Sequence, residues 1–317
     1  MNGTQPRLSH LRVVGDLEVR NARAAGGPDE LPRRLVVAAI GIPTALAVVD
    51  AGGWLLAGAA AALAGGGCLE ICRLARRREV RPFTVAACAA AAAFPLIAAA
   101  RPALEAAAPW MWALTLLLLM GSAVAAVWRR STYGQPLEVV AVTVMAAVFT
   151  GGTLAFSLFL RHLPVRPDHY AGVASLALFP LALAWTGDTA AYAAGRTFGR
   201  RRLTRVSPAK TWEGAAAGLV ATTAAGWVYA TVVLPPGAGF PGWLGALAGA
   251  LVSLAGLGAD LAKSAWKREA GVKDSGRVFP GHGGILDRMD STLYALPVVY
   301  VLAAIASAVM NRLTMFE

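Results

Sequence analysis

Charge is scarce in this chain. Asp, Glu, Lys and Arg make up 15% of its 317 residues, against about 25% in a soluble domain. That shortage excludes an ordinary soluble protein with an ionised surface. Cysteine and histidine are as sparse, at three and four. Cys68, Cys72 and Cys88 cannot build a disulfide framework. Cys68 and Cys72 stand at i, i+4 without a nearby His or further Cys, so they read as small apolar packing residues and not as metal ligands. No internal repeat of the kind that builds an inverted-repeat transporter is visible. Met1–Glu30 is polar and lacks a short apolar core followed by a cleavage site. That predicts no cleaved leader, and a disordered cytoplasmic tail over residues 1–31.

Apolar residues are abundant: 57% of the chain, with a mean hydropathy of +0.56. A helix crossing about 30 Å of hydrocarbon needs roughly 17–25 such residues. Nine stretches qualify, at about 34–50, 53–71, 83–99, 109–128, 138–160, 173–195, 213–234, 241–263 and 292–311. The first two are joined only by Ala51-Gly52, which predicts a tight hairpin. The third is weakest, being Ala-rich and interrupted by Pro95.

The formal net charge is +11. The basic residues sit between apolar stretches, so anionic lipid head groups and phosphorylated substrates are the expected counterparts and nucleic acid is not. With the N-terminus placed inside, only Arg101, Arg161, Arg166 and Arg312 fall in outside segments, leaving 25 of the 29 Lys and Arg inside. That asymmetry satisfies the positive-inside rule. It places the 196–212 and 264–291 loops in the cytoplasm.

Three polar features converge on that face. Asp188, in LAWTGDTAAYAAGR, is expected about 10 Å above the inner end of its helix near Gly195. At that depth a carboxylate needs a partner or water. It is either the wall of a polar cavity or the partner of an Arg such as Arg196. The second feature is RTFGRRRLTRVSPAKTWEG, residues 196–214. Arg200–Arg202 fit a topology signal as well as they fit a ligand. Ser207 is expected to cap a helix whose first residue is Pro208, with Lys210 just inside it. Lysine is poorly placed there against the helix dipole unless an anion binds, so Ser207, Lys210 and Thr211 are candidate substrate contacts.

The third feature is SAWKREAGVKDSGRVFPGHGGILDRMD, residues 264–290, with Asp260 one turn before it. Asp287 and Asp290 at i, i+3 share a face if a helix begins there. Asp260, Asp287 and Asp290 offer hard oxygen ligands suited to Mg²⁺, which takes one or two carboxylates plus substrate phosphates. Gly281, Gly283 and Gly284 allow close backbone approach to a ligand. Lys267, Arg268, Lys273 and Arg288 offer charge-assisted bonds to phosphate oxygens. His282 either donates to a phosphate or orders the glycine turn.

This run resembles the signature of the phosphatidate cytidylyltransferase, or CDP-diacylglycerol synthase, family. The pattern is filled by Ser264, Lys267, Arg268, Lys273, Asp274, Gly276, Phe279, Pro280, His282, Gly283, Gly284, Ile285, Asp287, Arg288, Met289 and Asp290. Trp266 replaces the usual aliphatic residue, Ala259 the usual Gly, and Lys263 stands where an acidic or neutral residue is common. The resemblance covers roughly residues 180–311 well and the preceding helices by pattern alone.

It implies an integral membrane nucleotidyltransferase that makes CDP-diacylglycerol and pyrophosphate from CTP and phosphatidic acid. It implies Mg²⁺, with K⁺ a possible companion, and a homodimer. The expected catalytic residues are Asp260, Asp287, Lys267, Arg288 and Asp290, with Asp260 and Asp287 holding the metal. The expected substrate contacts are Asp188, Ser207, Lys210, Thr211, Ser264, Arg268, Lys273, Asp274, His282, Gly283 and Gly284. The expected fold is all-α, a polytopic bundle of about nine spans in a cell (plasma or inner) membrane, with a polar cavity open to the cytoplasm. Residues 32–165 are expected to form a scaffold of about five helices, and 166–317 a catalytic domain. Alternatives are a CTP-dependent transferase or kinase acting on another lipid phosphate or lipid alcohol and, in another class, a transporter.

Overall fold

A computed structural model describes residues 30–130, 135–163, 170–204, 206–234, 240–276 and 283–313. Residues 1–45 and 46–317 form separate units. Of the first, only the beginning of α1 (Glu30–Ala51) is described. The predicted tail otherwise lies outside the described residues.

Nine helical rods follow one another among the described residues, and no strand accompanies them. After α1 come α2 (Gly53–Arg76), α3 (Thr84–Ala100) and α4 (Leu104–Arg130). The fifth rod joins α5 (Pro136–Ala147) to α6 (Thr153–His162) through a π-turn at Val148–Gly152. Then come α7 (Tyr170–Phe198), α8 (Trp212–Val228, ending in a π-turn Tyr229–Val233), α9 (Gly242–Glu269) and α10 (Ile285–Leu313). Each predicted span is met by one rod. Six segments are long and apolar enough to cross a membrane: Gly53–Arg76, Leu104–Trp128, Pro136–His162, Trp212–Val233, Gly242–Glu269 and Ile285–Val309. In hydrocarbon every backbone group must bond within the chain, which is why apolar runs of this length are helical.

The chain passes from α1 to α2 at Gly52 and Gly53, whose φ values of +61° and +50° favour glycine. Arg161 covers the carbonyls at the end of α1, donating to Val49 O at 3.3 Å and Asp50 O at 3.0 Å. The α3 rod survives Pro95 and stays short, at 17 residues. Cys68 and Cys72 are buried in the apolar core, as packing residues should be.

Small residues draw α8 against α9. A Cβ on Gly249 would lie 2.7 Å from Thr222 C and 2.9 Å from Thr223 Cα, so nothing larger than glycine fits that crossing. Close backbone approach of this kind is how helices associate where no water drives them together. α10 sits centrally, packing on α2, α6, α7 and α9. Its aromatic residues extend the contact: Phe149 of the π-turn meets Trp266 of α9 and Tyr294 of α10 edge-on, at 5.5 and 5.7 Å.

Two inner helix ends run further than the hydropathy pattern implies. α7 reaches Phe198 instead of Gly195, and α9 reaches Glu269 instead of residue 263. The polar residues there remain helical until glycine stops them. Gly271, at φ +68°, donates to Arg268 O at 3.0 Å, and Val272 N donates to Lys267 O at 2.9 Å. Together they form a Schellman stop. Asp188 therefore lies about 15 Å, not 10 Å, from its helix end, and Asp260 about 14 Å from its own.

Candidate active site

Position along α9 dictates the first half of the site. Asp260, Lys263 and Lys267 follow at i, i+3 and i+7, one face of a helix. α10 begins at Ile285, so Asp287 and Asp290 share its first turns, as the i, i+3 spacing requires. The two faces meet on Lys263. Its ammonium bonds Asp290 Oδ2 and lies 3.7 Å from both Asp260 Oδ1 and Asp287 Oδ1. Lys263 is only 5% exposed. Lys267 Nζ bonds Asp287 Oδ1 at 2.8 Å, and Lys210 Nζ stands 3.3 Å from Asp260 Oδ2.

Asp188 joins from α7. It accepts from Ser291 Oγ at 3.0 and 3.1 Å, while Arg196 instead donates to Tyr192 Oη at 3.0 Å. The alternative of an Asp188–Arg196 pair is thereby set aside. Asp188, Asp260, Asp287 and Asp290 face Lys210, Lys263 and Lys267, an assembly one charge short of neutral. Buried ions of one sign persist only with such company.

The loop before α10 is tied down by carboxylates. Asp287 Oδ2 accepts from Ser275 N at 2.9 Å, Ser275 Oγ at 3.0 Å and Gly284 N at 3.3 Å. Gly283 holds φ +82°, and a Cβ there would stand 3.0 Å from Asp287 Oδ2. Behind it sits Glu70 of α2, 1% exposed, which was not among the expected site residues. Glu70 accepts from Ser275 Oγ at 2.7 Å, Ile285 N at 2.8 Å and Leu286 N at 2.9 Å. The first two N–H groups of a helix have no partner within it. Here a carboxylate from a distant helix caps them. A lone Glu in the apolar run of α2 was the available signal, because an ionisable residue inside a span is a functional candidate by default. Lys263 carried the same kind of signal three residues after Asp260.

The 199–214 segment departs from expectation. Helix α8 starts at Trp212, not Pro208, and Thr211 is its cap, accepting from Gly214 N at 3.1 Å. Ser207 instead begins a turn through Pro208 and Ala209, closed by Lys210 N donating to Ser207 O at 3.1 Å. Proline suits the second position of such a turn as well as a helix start. The turn is held by Leu203 N on Lys210 O (2.8 Å) and Trp212 N on Arg201 O (3.0 Å). Glu213 fixes the other strand of the loop, accepting from Arg200 N and Arg201 N. Lys210 thus lies outside the helix and reaches Asp260, while Ser207 and Thr211 shape the loop.

The remaining expected residues separate. Ser264 is buried beside Lys263 on α9. Arg268 and Arg288 are exposed. Lys273 and Asp274 line a second concavity with Arg73 of α2 and Arg77 just past its end. His282 lies outside the described residues.

A cavity of about 240 Å³ opens between α7, α8 and α9. Asp188, Lys210 and Ser291 form its polar end, and Leu183, Leu219, Val252 and Leu257 its apolar wall. Among the described residues no three carboxylate, His or Cys side chains converge on one ion-sized point. The Lys263 ammonium lies within 3.7 Å of a carboxylate oxygen of each of Asp260, Asp287 and Asp290. The donors are hard carboxylate oxygens, the ligand type that Mg²⁺ takes.

A model of the cytidylyltransferase family matches residues 32–306. A phosphatidate cytidylyltransferase of Synechocystis sp. is 31% identical over 306 residues, covering 89% of this chain and 99% of that protein. One of Brucella suis is 41% identical over 161 residues, 50% of this chain and 56% of that protein. One of Haemophilus influenzae is 37% identical over 191 residues, 59% of this chain and 63% of that protein. The chain therefore spans under two thirds of the Brucella and Haemophilus relatives and nearly the whole of the Synechocystis one.

Proposed function

This chain belongs to the cytidylyltransferase family, and we propose that it makes CDP-diacylglycerol and pyrophosphate from CTP and phosphatidic acid, with the carboxylate–lysine cluster of α7, α9 and α10 as its reaction centre. It is a multi-pass membrane protein. The observation that carries the site assignment is the convergence of Asp260, Asp287 and Asp290 with three lysines beside a cavity that is polar at one end and apolar at the other.

A phosphate oxygen of phosphatidic acid attacks the α-phosphorus of CTP. The bond from that phosphorus to the bridging oxygen breaks, and the electron pair leaves with pyrophosphate. The nucleophile is already anionic, so no side chain need take a proton. Lys210 and Lys267 hold the phosphates and offset the charge that gathers as pyrophosphate departs. The apolar wall of the cavity takes the glycerol end of the lipid, and the polar end orients its phosphate. Asp260 and Asp287 are the residues that would hold Mg²⁺, which when bound neutralises phosphate charge. The excess of Lys and Arg on this face supports a cytoplasmic site in a plasma or inner membrane, where CTP is supplied.

Protein purified in detergent, given CTP, phosphatidic acid and Mg²⁺, is expected to pass label from the α-phosphate into CDP-diacylglycerol. Label entering lipid from the γ-phosphate would identify a kinase instead. No labelled lipid would favour a transporter. Asp287→Ala is expected to lower product about 100-fold or more, and undiminished product would overturn the site.

A further inference from the structure

Lys263 is the least exposed of the lysines in the cluster and lies within 3.7 Å of three carboxylates. We infer that it is a tethered monovalent cation: its ammonium holds the position that a free ion such as K⁺ would otherwise take among Asp260, Asp287 and Asp290, so the site needs no monovalent ion from solution. The inference rests on the transfer reaction proposed above and deepens it.

Three features of the molecule carry it. Lys263 reaches three carboxylates on two helices, whereas Lys267 reaches Asp287 and Lys210 reaches Asp260. Its side chain is 7% exposed, which separates it from Lys210, whose side chain is 35% exposed. Its charge is also needed where it is. Without it, four carboxylates would face two lysines, and the gap would draw a cation from solution. An ammonium and K⁺ carry the same charge and are close in size, and both accept irregular oxygen surroundings. Mg²⁺ demands tight octahedral geometry and gives up its water reluctantly, so it is the poorer occupant of this inner position. Lys263 is accordingly a positioning residue. It sets the spacing of Asp287 and Asp290.

The test compares purified wild type, Lys263→Gln and Lys263→Arg in choline buffers of matched ionic strength, with and without K⁺, at fixed Mg²⁺. Wild type and Lys263→Arg are expected to change rate less than about twofold on adding K⁺. Lys263→Gln is expected to be impaired without K⁺ and to recover about tenfold or more with it, equivalent to about 1.4 kcal/mol. Thallium binding by equilibrium dialysis gives a readout independent of activity. Lys263→Gln should bind one Tl⁺ displaced by K⁺, and wild type none. K⁺ should also raise the thermal midpoint of Lys263→Gln alone, because a bound ion stabilises only the state that binds it. A wild type that needs K⁺, or that binds Tl⁺ as the variant does, overturns the inference. So does a folded Lys263→Gln that binds none. If Lys263→Gln does not fold, the wild-type and Lys263→Arg measurements still decide. If no protein makes CDP-diacylglycerol, the transfer reading fails and the thallium result stands apart from it.

Discussion

Replacing Glu70 by alanine would strip three hydrogen bonds at once from Ser275 and the first turn of α10, which carries Asp287. Glu70 accepts from Ser275 Oγ and from the amides of Ile285 and Leu286, all within 2.9 Å. Each bond to a charged acceptor contributes about 1.5–3 kcal/mol. The buried carboxylate costs several kcal/mol of desolvation, which alanine would recover. The net loss expected is about 3 kcal/mol, near the lower end for breaking a buried charged contact. It should appear locally, because the stranded donors are the first two amides of α10 and the hydroxyl that also holds Asp287. Hydrogen exchange reads such local opening residue by residue. The amides of Ile285 and Leu286 should exchange about 100-fold faster in Glu70→Ala than in wild type, and CMP transfer should fall with them. Glu70→Gln keeps one acceptor oxygen and should lie between the two. Unchanged exchange at both amides together with unchanged activity would refute the argument that α2 caps α10.

Two further predictions follow from the packing. Ser291→Ala removes the hydroxyl that both oxygens of Asp188 share; a loss of about 1–3 kcal/mol in thermal stability is expected, with reduced turnover, and an unaltered melting midpoint would count against that bond. Gly249→Leu forces α8 from α9, since even a Cβ would sit 2.7 Å from Thr222 C. Overpacking of this kind costs about 1–3 kcal/mol, and a variant as heat-resistant as wild type would show that the crossing is looser than described.

Helical spacing puts Asp287 with Asp290 on one face and Asp260 with Lys267 on another, and packing of α9 on α10 brings the two faces together. Lys210 stands out in the sequence, but its setting does not. Turn and helix-start signals coincide at Ser207-Pro208, and Thr211 three residues later makes an equally good cap. The choice went to Thr211 because the loop pairs Leu203 with Lys210 and Trp212 with Arg201. Glu70 was missed because its partners are Ser275, 205 residues away, and Leu286, 216 residues away. Nothing in the local sequence of α2 names them.

What the sequence determined by itself was everything that depends on one segment and its solvent. An apolar run must be helical in lipid, so the nine rods appear where hydropathy places them. Tertiary structure decided the pairings. Four carboxylates and three lysines admit many arrangements, and their energies depend on distances between helices far apart in the chain. Only the packing of α10 against α2, α7 and α9 puts Lys263 among three aspartates and Glu70 beneath the loop. The lysine that looked like a departure from a family pattern is, in the folded molecule, the charge around which the other groups are arranged.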